Sequence, residues 1–303
     1  MAKTKKKFDI YESITQTIID SLKEGNIPWK KTWSGGCSCL PMNFITKKPY
    51  RGVNMFTLSM TPFDSPYFLT YNQAKAKGGQ VRKGEKSSMV VFWKMFKATD
   101  KTTGLEKTIP MLRYFNVFNV EQVDGLKLPK PKKVEGEEKK KEFNPIDEAE
   151  AVIASYKTCP PISHGGSRAY YTPALDTVQM PKKESFTTPE AYYGVLFHEL
   201  GHSTGHDSRL KRDFGGDFGN HKYSKEELVA EMTSAFLSAK CGIDNSDTSL
   251  IDNSKAYIQS WLSKLSDNPK WIIEASSKAR KAADLILDEE YQAVKSKEEQ
   301  KAA

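Results

Sequence analysis

The sequence predicts an α+β protein in which an N-terminal α+β domain with an antiparallel sheet precedes a mostly helical C-terminal domain. The first half contains two stretches rich in β-branched and aromatic residues, at 87–99 and 108–120, which are typical of strands. The second half contains repeated helix-start signals, among them Thr188-Pro189 and Asn268-Pro269. A chain of 303 residues is long enough for two domains that each bury a core.

The elements of the N-terminal half follow from capping signals and periodicity. Asp9 is the predicted N-cap of a first helix, with Glu12 at the capping-box position. The apolar face of this helix carries Ile10, Ile14, Ile18 and Leu22. A second short helix follows Thr70, whose capping-box partner is Gln73. The two strand-like stretches come next, and the turn at 100–104 joins them into a hairpin.

Residues 127–145 separate the halves. This segment is rich in Pro, Lys and Glu and has almost no apolar residue, so it cannot bury enough surface to offset its ordering entropy. We predict a first domain at 1–126, an exposed charged linker at 127–145 and a second domain at 146–303.

The C-terminal half begins with a predicted helix at about 146–157 and an extended stretch at 167–181. Further helices are expected from Thr188-Pro189, from Ser224, and at about 248–266 and 270–295. Residues 169–181 suit either an edge strand that holds an extended peptide or a plain core hairpin.

Charge is distributed unevenly. The net charge is +8, and residues 1–126 hold 20 Lys and Arg against 10 Asp and Glu, which favours an anionic partner for that half.

No apolar run is long enough to span a bilayer, and no apolar segment of a secretory signal follows the basic N-terminus. The four cysteines are scattered, as in a reduced protein. We expect a cytoplasmic protein with no membrane partner.

The string "HELGH" at 198–202 predicts a metal site. His198 and His202 are four residues apart, so on a helix both imidazoles point from one face toward a common point. Zn²⁺ accepts histidine nitrogen and prefers four ligands. Glu199 lies at the edge of that face, where it is placed to take a proton from a metal-activated water. The alternative is a cluster of histidines on a half-buried helix without a metal.

The third protein ligand is predicted from the next helix. His206 is two turns from His198, too far for one metal on a straight helix, and Ser208 stands where the metzincin pattern requires a histidine. If Ser224 is an N-cap, Glu227 is the N3 residue of a capping box. Glu231 falls on the apolar side of the helix, where a carboxylate needs a partner. We therefore predict Glu231 as the third ligand, with Glu227 as the alternative.

The basic half interleaves cations with aromatic rings. Lys and Arg neutralise phosphates, and aromatic faces stack on unpaired bases, so single-stranded nucleic acid is the favoured partner. Each tryptophan could equally be a core residue. The candidate contacts are Trp29, Lys30, Lys31, Trp33, Tyr50, Arg51, Arg82, Lys83, Lys86 and Trp93.

At the level of longer strings, the chain resembles the ArdC family of antirestriction proteins of conjugative plasmids and other mobile elements. The resemblance covers nearly all of the chain and rests on "IPWKKTW", "KPYRGVN", "YFLTYNQAKAKGGQVRKGEKSSMVVFWK", "FHELGHSTGH", "SRLKR" and "YSKEELVAEMTSAFL". The N-terminal part of some plasmid-encoded conjugative primases is also similar.

The resemblance implies an N-terminal domain that binds single-stranded DNA, a C-terminal zincin-like metallopeptidase domain, and a role in protecting incoming DNA from host restriction. By motif, it implies His198 and His202 as metal ligands and Glu199 as the catalytic glutamate, with a third ligand from "EELVAEM". The expected cofactor is Zn²⁺, with Mn²⁺ or Co²⁺ as fitting alternatives. The protein substrate is left open and includes components of the host restriction system. The alternative function is a non-enzymatic protein that coats single-stranded DNA and has a structural metal.

Overall fold

The computed structural model describes residues 8–24, 27–29, 40–99, 106–126, 145–214, 221–243 and 254–289. The predicted linker and the turn at 100–104 lie almost wholly outside these ranges. Within them the fold is mixed α+β, with a sheet-containing N-terminal region and a largely helical C-terminal region, as predicted. None of the described helices combines the length and the apolar character that a bilayer crossing requires.

The N-terminal region is a four-stranded sheet with three helices. Its strands run in the order β1-β2-β5-β4, and β4 and β5 form the predicted antiparallel hairpin. A two-residue pair, β3 with β6, lies beside it. The bounds are α1 Ile10–Lys23, β1 Met42–Asn43, α2 Val53–Ser59, β2 Tyr67–Thr70, α3 Tyr71–Ala76, β3 Gln80–Val81, β4 Ser88–Thr99, β5 Glu106–Asn119 and β6 Val123–Asp124.

Both predicted N-caps of this region are confirmed. The Asp9 carboxylate accepts hydrogen bonds from the backbone N–H groups of Tyr11 and Glu12. Thr70 and Gln73 form a complete capping box at the start of α3. Helix α2 carries no such signal, because its N-cap is Gly52 without a side-chain bond, and the sequence did not predict it. The Asn54 side chain fixes α2 to the sheet by bonding both the N–H and the C=O of Val91.

The C-terminal region packs helices beside a three-stranded sheet of order β7-β9-β8. Helix α5 begins as predicted at Pro189, with Thr188 as N-cap, and it packs on β8 and β9. The next helix begins at His221, one turn before the expected Ser224. The bounds are α4 Pro145–Ser155, β7 Ile162–His164, β8 Tyr170–Thr172, β9 Thr177–Met180, α5 Pro189–Ser203, α6 His221–Cys241, α7 Ser254–Asp267 and α8 Trp271–Ile286.

One hydrophobic cluster contains residues of both halves. Trp29 packs edge-on against Trp261 of α7, with ring centroids 5.2 Å apart, and Phe56 of α2 lies 5.0 Å from Phe236 of α6. The Thr15 hydroxyl of α1 donates to the Pro269 carbonyl at 2.5 Å. The division at 127–145 therefore does not separate two independent cores among the described residues.

Candidate metal centre

Helix α5 sets the first two donor groups of the site. Because His198 and His202 are one turn apart, their rings lie on the same face, with centroids 4.7 Å apart and planes nearly perpendicular. The two Nε2 atoms are 3.1 Å apart. Both nitrogens thus point at one small volume, as the motif predicted.

Gly201 allows α6 to approach this face. A Cβ atom at Gly201 would lie 3.2 Å from the Ala230 Cα and from the Thr233 Cβ, which is tighter than nearly all real contacts. The glycine within "HELGH" therefore permits a helix–helix contact that a side chain would push apart. This close contact places the α6 carboxylates beside the two imidazoles.

Glu227 completes the group of three. Its carboxylate oxygens lie 3.5 Å from the His198 Nε2 and 3.3 Å from the His202 Nε2. Among the described residues, His198, His202 and Glu227 form the cluster whose ligand atoms all lie within 4.8 Å of one another. Two imidazoles and one carboxylate this close together form a group that can hold a divalent metal ion.

The spacing of the donors fits a tetrahedral metal. Four ligands at about 2.0–2.2 Å from Zn²⁺ are separated from each other by about 3.3–3.5 Å. The two Nε2 atoms are 3.1 Å apart, and they lie 3.5 and 3.3 Å from different oxygens of the Glu227 carboxylate, so the three groups are close to that spacing. Two imidazoles and one carboxylate leave a fourth position, and the side chains of His198 and His202 remain 15% and 13% exposed. The residues present therefore fit a divalent ion.

Glu227, the alternative third ligand, lies closer to the two Nε2 atoms than Glu231, the predicted one. Ser224 is inside α6, where its hydroxyl accepts a hydrogen bond from Lys264 at 2.7 Å, so it is not an N-cap and Glu227 is not committed to a capping box. Glu231 is buried one turn further along. Its carboxylate is closest to the other nitrogen of His198, Nδ1, at 3.9 Å. That Nδ1 is buried and has no hydrogen-bond partner among the described residues.

Glu226 supports the second histidine. This carboxylate is 5% exposed and lies 3.5 Å from the His202 Nδ1. Arg212 holds Glu226 through two guanidinium nitrogens, at 2.6 and 2.9 Å, and also donates to the Thr204 hydroxyl and the Gly201 carbonyl. A ligand histidine usually has a carboxylate at its second nitrogen, which fixes ring orientation. The arrangement of Arg212, Glu226 and His202 follows that pattern.

The carboxylates control the protonation of the histidines. Burial lowers the pKa of His202, but the charge of Glu227, hydrogen bonds to Glu226 and Glu227, and the charge of Glu199 outweigh it and raise the pKa well above its ordinary value. The pKa of His198 is raised as well: burial opposes this, and Glu227 is the main cause. Burial also raises the pKa of Glu227, but His202 and His198 hold it well below its usual range.

The loop after α5 is bonded to the neighbouring β8–β9 turn. His206 is outside the helix, where its Nδ1 lies 2.8 Å from the Ser208 hydroxyl, so it takes no part in the donor group. The guanidinium of Arg209 is almost fully buried; it donates to the Ser203 and Thr158 carbonyls and pairs with Asp176. These bonds connect the end of α5 to the β8–β9 turn.

Comparisons with known proteins agree with both halves of this description. Residues 8–118 match the N-terminal domain of the anti-restriction factor ArdC, and residues 147–278 match the zincin-like metallopeptidase domains. Crystal structures of the antirestriction ArdC protein from the R388 plasmid, in metal-free and Mn(II)-bound forms, superpose with TM-scores of 0.73 and 0.74. Identity is 37% and 36%; the matches cover 93% of this chain and 97% and 98% of those chains.

The chain belongs to the ArdC antirestriction family. A further relative is the uncharacterized protein y4eC of Sinorhizobium fredii, 37% identical over 91% of each chain. Two DNA primases TraC of Escherichia coli are 35% and 36% identical over 100% and 93% of this chain. The chain spans only 29% and 20% of the length of these primases.

In this ArdC-family chain, the predicted nucleic-acid contacts fall into three groups. Trp29 and Tyr50 are buried, Trp29 within the shared core and Tyr50 against Phe68. Neither offers a ring face to a base, which corrects their assignment: both belong to the structural alternative. Lys30, Lys31 and Trp33 lie outside the described residues. The exposed candidates are Arg51, Arg82, Lys83, Lys86 and Trp93.

Two of the exposed arginines already have acidic partners. Arg82 pairs with Glu85 at 2.8 Å and Asp124 at 3.4 Å, and Arg51 lies 3.8 Å from Glu289. Surface pairs of this kind are weak, so they do not prevent a phosphate contact. Trp93 is 46% exposed on β4, beside residues that the sequence did not single out.

Proposed function

We propose that this protein is an antirestriction protein of a mobile element that binds single-stranded DNA and hydrolyses peptide bonds at the "HELGH" site. Family membership supports the antirestriction role. The convergence of two imidazoles and one carboxylate at 3.1–3.5 Å, on the helix that also carries the buried Glu199, is the observation that carries the enzymatic part.

The proposed ligands are His198, His202 and Glu227. When bound, the metal would lower the pKa of a water at its open position and polarise a substrate carbonyl. Zn²⁺ is the expected ion because of the histidine-rich donor set, and the Mn(II)-bound ArdC structure supports Mn²⁺ as an alternative. Glu226 and Glu231 would orient the rings from the opposite nitrogens.

Glu199 is the proposed general base. It is buried, it follows His198 directly, and its charge acts on His202, so its carboxylate belongs to the same electrostatic unit as the ligands. A purely structural metal site would have no use for an additional buried carboxylate there. Glu199 would accept a proton from the attacking water and pass it to the leaving amine.

The edge strand β8 is the proposed substrate-binding strand. In the sheet order β7-β9-β8 it pairs only with β9 among the described strands, so its outer edge is proposed to accept an extended peptide. Tyr170 at its start is exposed. We expect the protein substrate, which could be a component of the host restriction system, to bind along β8 as an extended segment.

Glu199→Gln tests the enzymatic part. We expect the variant to keep its metal and its fold and to lose about 10²–10⁴-fold in hydrolysis of a general peptidase substrate such as casein. The matched control is Glu190→Gln, in the first turn of the same helix. Equal activity in wild type and Glu199→Gln would favour the alternative, a non-enzymatic DNA-coating protein with a structural metal.

Glu227→Gln tests the ligand assignment. Loss of a charged ligand should lower affinity for Zn²⁺ by more than the same change at Glu231, since Glu231 does not reach the shared position. Competition with a chelating dye measures both variants. A larger loss at Glu231 would restore the ligand predicted from the sequence.

A further inference from the structure

The hairpin of β4 and β5 extends beyond the rest of its sheet. β2 pairs with β5 only at 117–119, and the pairing of β4 with β5 continues from there to Thr99 and Glu106. We call residues 92–96 and 109–115 the arm. Along it, each strand has only the other as a partner in the sheet.

One face of the arm is defined by the register. Residues directly opposite in an antiparallel pair point to the same side, and Lys94 faces Met111, Phe96 faces Ile109, and Phe115 faces Val90. Phe92, opposite Arg113, is half-buried on this side and contacts the Phe115 ring. We call the exposed members of this side the arm face: Lys94, Phe96, Ile109, Met111, Arg113 and Phe115. Trp93 lies on the opposite side, nearer the core residue Leu112.

This composition indicates a binding surface. Phe96 and Ile109 are each 48% exposed, and contiguous exposed apolar side chains of this size are uncommon without a partner. Lys94 and Arg113 stand among them, and the arm contains no Asp or Glu. Exposed rings bordered by unopposed cations match the two needs of an unpaired nucleic acid, which are stacking platforms and phosphate neutralisation.

We propose that the arm face is the surface that binds single-stranded DNA, with bases stacked on Phe96 and Phe115 and phosphates on Lys94 and Arg113. The proposal rests on the proposed single-stranded DNA binding and gives it a location. It lies outside the positions singled out from the sequence, apart from the neighbouring Trp93.

A second copy of the chain fits this face less well. A two-fold contact of the face with itself would bring Lys94 and Arg113 close to their copies, and no carboxylate on the arm would neutralise them. Like charges brought together in this way are destabilising. A polyanion would instead neutralise Lys94 and Arg113. Charge therefore decides between the two occupants.

The first test removes the rings. Phe96→Ala with Phe115→Ala should weaken binding of a fluorescein-labelled oligothymidylate of about 20 nucleotides at least tenfold, by anisotropy, with little change in salt dependence. Tyr71→Ala is the matched control, because Tyr71 is an exposed ring in the same half outside the arm. Phe96→Ala alone should show part of the loss if the double variant folds poorly.

The second test removes the charges. Lys94→Gln with Arg113→Gln should flatten the slope of log affinity against log salt by about 1.4, since each phosphate contact on a single strand contributes about 0.7. Lys75→Gln with Lys77→Gln removes the same charge from exposed positions near α3 and should leave the slope unchanged.

The outcomes separate the arm from DNA binding in general. If wild type binds the oligonucleotide and all arm variants bind equally well, the arm proposal is wrong and the proposed DNA binding stands. If wild type does not bind, both are wrong. If sedimentation shows a wild-type dimer that the ring variant converts to a monomer, the arm is a self-association surface and the proposal is overturned.

Discussion

The metal centre and the arm use charged and apolar groups in opposite ways. At the centre, buried carboxylates each face a histidine or arginine within the protein, at 2.6–3.9 Å. On the arm, Phe96 and Ile109 are half exposed beside cations, and the arm itself contains no carboxylate. The side chains that would hold the ion already contact one another within the protein. The side chains of the arm face are exposed and therefore free to contact a flexible polymer.

The two tryptophans Trp29 and Trp93 give the sharpest form of this comparison. Trp29 is 4% exposed and packs on Phe56 and Trp261, so Trp29→Ala should lower the free energy of unfolding by about 3–5 kcal/mol. Trp93 is 46% exposed, so Trp93→Ala should change it by no more than about 0.5 kcal/mol. Urea denaturation followed by circular dichroism measures both.

The shape of the Trp29→Ala transition is a second readout. Because Trp29 belongs to a cluster that includes residues of both halves, the two halves should unfold together and at lower urea. A variant in which only the N-terminal half unfolds early would contradict the shared core.

Sequence reasoning succeeded where the signal is local and failed where it depends on packing. The caps at Asp9, Thr70 and Thr188 and the histidine pair in "HELGH" follow from spacing alone. The start of α6 does not follow from spacing. Ser224 resembles an N-cap but lies inside the helix, where its hydroxyl accepts a hydrogen bond from Lys264. The earlier start of α6 removes the capping-box reason for setting Glu227 aside, and the choice between Glu227 and Glu231 stays a prediction.

The same limit applies to the basic half. Interleaved aromatic and basic residues correctly marked a region rich in both, but composition does not tell a core tryptophan from an exposed one. Trp29 and Tyr50 became core residues because α2, α7 and β2 cover them. The arm face appears only when the β4–β5 register is known, since the register decides which side chains of the two strands share one side of the hairpin.

The buried pair of Arg212 and Glu226 should contribute strongly to stability. Arg212→Ala leaves the Glu226 carboxylate without its main partner, and breaking such a buried pair costs about 3–5 kcal/mol. We expect a value near 3 kcal/mol, because His202 remains 3.5 Å from Glu226. Thermal unfolding of the metal-free protein measures the change.

The matched control is Arg212→Met combined with Glu226→Gln. Removing both charges avoids the uncompensated carboxylate, so this variant should recover much of the lost stability. If the single and double variants are equally destabilised, the ion pair is not the source of the effect.

Glu231→Gln sharpens the distinction between ligand and orienting group. We expect a 10–100-fold loss of Zn²⁺ affinity, since groups that orient a ligand histidine have effects of this size, with peptidase activity largely retained at saturating Zn²⁺. Glu190→Gln, in the first turn of α5, again serves as the control. Unchanged affinity would mean that the Nδ1 of His198 does not use Glu231 as its acceptor when the ion is bound.

The smallest expected effect is a pH dependence that only the metal centre should show. The pKa values of His198 and His202 are raised above their ordinary value of 6.5 in the metal-free protein, so protons occupy the site that a metal must take. Zn²⁺ needs neutral imidazole, so its binding should release protons and tighten by up to about tenfold per pH unit per proton released as pH rises toward the folded-state pKa values. Conversely, the stability that the raised pKa values give the metal-free protein is fully present below pH 6.5 and is lost as pH rises through the folded-state values.

Calorimetric titration with Zn²⁺ in two buffers of different ionisation enthalpy measures the released protons. Equal heats in both buffers would show that Zn²⁺ binding releases no protons from the site. Oligonucleotide binding by the arm, in contrast, depends on Lys94 and Arg113 and should be insensitive to pH over the same range.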